Sequence, residues 1–144
     1  MVATADWFVW ALMAAVFAAL TAIFAKIGLE GVDSDFATLF RTGVIIIVLS
    51  LFVYFAGKWT NPFQLSRKTV LFLTLSGLAT GASWVCYFRA LKMGPASSVA
   101  PVDKFSVVLV AIFAFLVLHE RPPVKDWIGI ALVGLGVLVL AIKK

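Results

Sequence analysis

Five stretches of this chain carry no charged side chain: residues 7–25, 42–57, 69–88, 105–118 and 127–142, which are 19, 16, 20, 14 and 16 residues long. Crossing about 30 Å of hydrocarbon takes roughly 20 helical residues. Some spans must therefore extend past a charge. Of the whole chain 63% is apolar or aromatic and only 13% is charged. A soluble domain, with roughly 45–50% apolar residues, covers itself with charge that is missing here. This excludes a typical cytosolic enzyme, a disordered protein and a disulfide-rich secreted module. It leaves an all-α polytopic membrane protein, one domain over residues 1–144.

The pattern predicts five transmembrane helices over 7–28, 36–57, 69–92, 96–118 and 125–142. The first has no positive segment before it and no convincing cleavage site after it, and reads as a retained span. Trp7, Trp10, Trp59 and Trp127 fall near helix ends, where interface aromatics sit. The connections are short. Residues 30–35 are polar and turn-like, and Ser34 or Asp35 can cap the second helix. Asn61-Pro62, Gly94-Pro95 and Pro122-Pro123 punctuate the later connections. Small residues permit close helix approach: Ala11, Ala15 and Ala19, with Ala14, Ala18 and Ala22 beside them, on the first helix, and Gly77 with Gly81 on the third. The fifth helix carries Gly129, Gly134 and Gly136 and is the candidate for a subunit interface.

The formal net charge is +5 and the pI about 9.7. The basic residues stand at the ends of apolar segments, where they set membrane orientation, and form no surface for nucleic acid. Cys86 is the one cysteine and reads as a small core hydrophobe. With His119 the one histidine, no metal site or other cofactor is expected. Five spans place the termini on opposite sides. The N-terminal side then holds five basic residues: Lys58, Arg67, Lys68, Arg121 and Lys125. The other holds six: Lys26, Arg41, Arg89, Lys92, Lys143 and Lys144. So small a bias leaves two readings. Either the charges are uninformative, or the chain has dual topology, inserts both ways up and pairs as an antiparallel homodimer.

Charges inside the spans are the informative residues. Asp103 lies seven residues into the fourth span, about 10 Å deep at 1.5 Å per residue. A charge there costs several kcal/mol unless paired or wetted. Neighbours on a helix point about 100° apart, so Asp103 and Lys104 need different company. Chain direction puts Lys26, Arg41, Arg89, Asp103 and Lys104 in the same half of the bundle, with Glu30, Asp33 and Asp35 at its mouth. One reading is structural: Asp103 pairs with Arg41 or Lys104, while Lys26 and Arg89 snorkel to the interface. The other makes these charges a substrate or coupling site. Pro101 removes a backbone donor in mid-helix, kinks it and frees carbonyls to line a polar cavity. Trp84 and Tyr87, three apart, share a face and offer either an aromatic wall for a substrate or ordinary packing. Basic residues outnumber the one deep acid, which suits an anionic or zwitterionic ligand, whereas Asp103 alone suits a proton or cation. No phosphate loop or nucleophile elbow is present, so no enzyme is expected.

From Leu75 onward the sequence resembles the EamA domain of the drug/metabolite transporter superfamily. The residues that carry this are Tyr87-Phe88-Arg89-Ala90-Leu91-Lys92-Met93-Gly94-Pro95-Ala96-Ser97, then Val99-Ala100-Pro101 and Ser106-Val107-Val108. His119-Glu120-Arg121-Pro122 is similar to the acidic turn before the last helix, and Trp127-Ile128-Gly129-Ile130-Ala131-Leu132 to its continuation. Phe24-Ala25-Lys26-Ile27-Gly28-Leu29 extends a likeness that covers about half the chain strongly. Most members carry two five-helix repeats of opposite orientation. This chain has one, and resembles the half-size prokaryotic branch, in which the run seen here as Ala100-Pro101-Val102-Asp103-Lys104 recurs. Small multidrug exporters instead have four spans and an essential acid in the first helix, which has no acid inside it here.

The resemblance implies a secondary transporter in a prokaryotic plasma or inner membrane, surrounded by membrane lipids, moving a small-molecule substrate. It also implies an antiparallel homodimer with a polar site near the membrane midplane. On this hypothesis Asp103 would be the coupling or counter-charge and Arg41 and Lys104 the ligand or gating charges, with Lys26, Trp84 and Tyr87 as further substrate-binding or coupling residues. The alternative is a non-transporting subunit or lipid-binding partner of another membrane protein.

Overall fold

The structure, a computed structural model, describes residues 3–142. Lys143 and Lys144, counted above among the basic residues, lie outside the described residues. The helices are α1 (Ala3–Gly28), α2 (Ser34–Phe55), α3 (Arg67–Met93), α4 (Ala96–Asp103), α5 (Ser106–Val117) and α6 (Val124–Ala141), with a 3₁₀ turn at Pro62–Gln64 between α2 and α3. Five segments are long and apolar enough to cross a membrane: Trp7–Gly28, Ser34–Phe55, Arg67–Met93, Ala96–Val117 and Val124–Ala141.

Helix ends follow local chemistry. α1 stops at Gly28, and Gly31 then adopts a φ of 73° that favours glycine. The N-cap of α2 is Asp33, not the expected Ser34 or Asp35. Its extended backbone lets Oδ1 accept from the Asp35 and Phe36 amides at 2.9 and 3.1 Å. α2 therefore begins two residues before the expected position 36, and Ser34 is buried within its first turn. At the other end Gly57, with φ 64°, donates to the Tyr54 carbonyl and Lys58 to that of Val53, closing the helix in a Schellman motif. Asn61 Oδ1 accepts from Phe63 N–H at 3.0 Å and starts the 3₁₀ turn. Ser66 Oγ accepts from the Thr69 amide at the start of α3. Within the spans Thr38, Thr42 and Thr80 donate their hydroxyls to carbonyls four residues back, which suits a medium without water.

The expected single helix over 96–118 is two. The Lys104 and Phe105 amides bond Pro101 and Val102, three residues back, and Val107 and Val108 repeat this spacing to Lys104 and Phe105. The ladder tightens into a 3₁₀-like turn between α4 and α5. The disturbance thus lies after Pro101, which itself stays inside α4.

The chain divides into two compact units, residues 1–23 with 93–144, and residues 24–92. In the first, α4 and α5 both pack on α6. Gly134 faces α5 so closely that a Cβ there would lie 3.1 Å from Val108 Cγ2, whereas Gly129 and Gly136 meet nothing within 4 Å. One glycine of the fifth span thus serves packing inside the chain. Phe115 and Trp127 meet edge-on at 6.2 Å, which gives this interface aromatic a packing partner. In the second unit the last turn of α1, the loop after it, α2 and α3 bury Leu29, Ser34, Thr38, Phe88 and Leu91.

Candidate functional site

The second unit gathers its charges where α1 and α3 end and α2 begins. Lys26, in the last turn of α1, donates from Nζ to the Leu91 carbonyl at 2.6 Å. That carbonyl is among the last four of α3, which have no partner inside the helix. Lys92 reaches the Val32 carbonyl at 2.5 Å. Arg89 grips Asp35 with both forks, Nε to Oδ1 at 2.9 Å and Nη2 to Oδ2 at 2.5 Å. Lys26 and Arg89 are therefore held by protein groups. Their partners, a helix-end carbonyl and an acid in the first turn of α2, are already in place.

Arg41 is different. It is the eighth residue of α2, about 10 Å along the helix from its start. Its guanidinium carbon lies 4.2 Å from the centre of the Trp84 ring and 5.3 Å from that of Phe88. Both distances are within cation–π range. Trp84 and Phe88 are four apart on α3, so one face presents both rings. Nη1 of Arg41 is shut off from solvent and has no hydrogen-bond partner among the described residues. The unit holds three acids. Asp33 caps α2, Asp35 is held by Arg89, and Glu30 sits exposed in the loop. Cation–π contacts contribute about 0.5–2 kcal/mol each, against about 2.5–3.5 kcal/mol for inserting an arginine at mid-bilayer. The face of the guanidinium is matched, and its edge is not.

The aromatic pair expected to share a face was Trp84 and Tyr87. Trp84 and Phe88 both lie against Arg41, and the Tyr87 ring lies 6.4 Å from that of Phe88 at 62°. Phe88 was missed, although the spacing of four from Trp84 was readable. The Asp35–Arg89 fork was missed as well. Its signal is an acid in the first turn of one helix and an arginine near the end of another, both on the same side of the membrane.

In the first unit Asp103 and Lys104 do meet, Nζ to Oδ2 at 3.4 Å. The expected divergence of about 100° holds only for a continuous helix, and α4 ends at Asp103. Asp103 is partly buried and Lys104 exposed. Pro101 lies one turn before this pair.

The EamA-like transporter family matches residues 6–142. A protein of Sinorhizobium sp named an uncharacterized transporter in the cobO 3' region is 54% identical over 137 residues, 95% of this chain and 97% of that protein. A protein of Salmonella paratyphi C named a probable 4-amino-4-deoxy-L-arabinose-phosphoundecaprenol flippase subunit, ArnE, is 27% identical over 104 residues, 67% of this chain and 94% of that protein. The protein of that name from Salmonella newport is 30% identical over 74 residues, 51% of this chain and 67% of that protein. No solved structure matches. With five apolar spans and these bacterial relatives, the chain is a multi-pass protein of the bacterial inner membrane.

Proposed function

The chain belongs to the EamA-like transporter family, and from that premise we propose that it is a secondary transporter working as an antiparallel homodimer. Residues 1–144 act as a single domain and catalyse no covalent chemistry. Substrate binds at a polar site near the membrane midplane, and rocking of the paired copies alternates access. Asp103 is the coupling or counter-charge, Arg41 and Lys104 are ligand or gating charges, and Lys26, Trp84 and Tyr87 are further candidates for substrate binding or coupling. Pro101 positions the turn that carries Asp103 and Lys104.

The family match over 6–142 carries the transport reading. The homodimer draws support from five spans with five basic residues on one side and six on the other. The test is topology. A reporter active only in the cytoplasm and one active only outside are fused separately to the C-terminus. Comparable signal from both supports the homodimer, and signal from one alone refutes it. Asp103→Asn is expected to abolish uptake of transported metabolites into membrane vesicles while the protein still inserts. Normal uptake in that variant refutes the coupling role.

A second reading rests on one observation, that the Salmonella relatives are named as subunits of a flippase. On it, this chain is one subunit of a pair with a different chain of opposite orientation. A lipid-linked phosphosugar, the cargo in the relative's name, then becomes a substrate class to try. Purification in detergent with mass measurement separates a pair of identical chains from a mixed pair.

A further inference from the structure

We propose that Arg41, held against the rings of Trp84 and Phe88, is the recognition point for a phosphate or carboxylate group on the transported substrate. The inference rests on the transport reading and deepens it by giving the ligand a chemical class. A guanidinium stacked on rings spends its face on them and keeps its N–H donors in the plane, at the edge. The two ring contacts, 4.2 Å to Trp84 and 5.3 Å to Phe88, limit the rotamers the side chain can sample. The fork is thereby set in advance for the two oxygens of an oxyanion.

Two further observations point the same way. Nη1 is already stripped of water and has no partner among the described residues, so an arriving oxygen displaces no hydration there. The side chain as a whole is only partly buried, which leaves an approach to the fork. No acid of residues 24–92 competes for it. Asp35 is taken by both nitrogens of Arg89, Asp33 is taken by the amides at the start of α2, and Glu30 stands in the exposed loop. A cation so placed is matched to an incoming anion rather than to the carboxylates of its own unit. The rings also supply apolar surface beside the charge, which selects an anion with an organic body over a bare ion.

The oxyanion can come from a soluble metabolite or from a lipid headgroup, and the test separates the two. Full-length protein in detergent micelles is titrated with glycerol 3-phosphate, and with sodium phosphate as the bare ion. In a second arm it is titrated with phosphatidic acid, with phosphatidylcholine as the control. Bound mass is read by native mass spectrometry and ligand-dependent stability by thermal unfolding. Saturable binding in one arm is expected. Arg41→Gln should abolish it, and Arg41→Lys, which keeps the charge but not the fork, should weaken it about tenfold. Without ligand Arg41→Lys, which keeps a cation beside the rings, should unfold within a few degrees of the wild type, and Arg41→Gln lower by the two cation–π contacts it loses. Should Arg41→Gln not fold, Arg41→Lys and Trp84→Leu carry the test, and both must weaken binding. Three outcomes overturn the inference. They are no saturable binding in either arm, equal binding by wild type and variants, or a ligand-free loss of stability exceeding the ligand-induced gain, which would make Arg41 structural. A chain that transports yet binds no oxyanion at Arg41 overturns this inference alone and leaves the transport reading standing. Binding lost with Arg41 in a chain that does not transport overturns the transport reading, and with it the claim that the bound oxyanion is cargo.

Discussion

Replacing Lys26 by methionine separates a buried tie from an exposed one, because Lys92 makes the same kind of bond nearby. Both are lysines near the end of a helix that donate to a backbone carbonyl. Lys26 does so at 2.6 Å in a part-buried setting, onto Leu91, whose residue is fully buried. Lys92 does so at 2.5 Å in an exposed one. A hydrogen bond from a charged donor contributes about 1.5–3 kcal/mol. Lys26 also sits at the C-terminal ends of both α1 and α3, which adds about 0.3–1 kcal/mol of favourable dipole interaction at each. Methionine keeps the apolar stem and loses the donor, leaving a helix-end carbonyl without it. Lys26→Met should therefore cost about 2–5 kcal/mol, roughly 30-fold or more in the folded-to-unfolded ratio. At Lys92 water or lipid headgroups replace the bond, so Lys92→Met should cost less than about 1 kcal/mol. The assay is reversible unfolding in mixed micelles with rising mole fraction of sodium dodecyl sulfate, followed by circular dichroism. Equal costs at the two sites, or a silent Lys26→Met, would refute the argument that burial decides.

Two smaller predictions use the same assay. Asp33→Ala should cost about 1 kcal/mol through loss of the N-cap that serves the Asp35 and Phe36 amides. Gly134→Leu should cost about 1–3 kcal/mol or more by overpacking α6 against Val108, while Gly136→Leu, with open space at its Cβ, should cost less than about 1 kcal/mol.

Span positions were legible in the sequence because they depend on one strong signal, long apolar runs bounded by charge and proline. Gly94-Pro95 ends α3 as expected, and Pro122-Pro123 stands before α6. What depended on which of several adjacent polar residues wins was harder to read. Asp33, Ser34 and Asp35 all can cap a helix, and the choice falls on the one whose backbone is extended. The break between Asp103 and Ser106 was unreadable for a related reason. Proline announces a disturbance on its N-terminal side, whereas here the tight turn forms after it. In the candidate site, chain direction put Arg41 in the half of the bundle where α3 ends, and the structure sets its guanidinium carbon 4.2 Å from the centre of the Trp84 ring. The spacing of Trp84 and Phe88 was readable, but which face of α3 meets Arg41 depends on the register of α3 against α2, which no local pattern encodes.

The number of spans has a consequence for how such a chain can be duplicated. Five crossings leave the chain on the side opposite to the one where it began. A second copy joined directly to its end would start from that opposite side and thread the bilayer upside down. Tandem fusion therefore turns one copy over without an added helix, and the parity of the spans does the inverting. Chains with four or six crossings have no such route. Joined end to end they give two copies facing the same way, and an inverted pair would need an extra span between them.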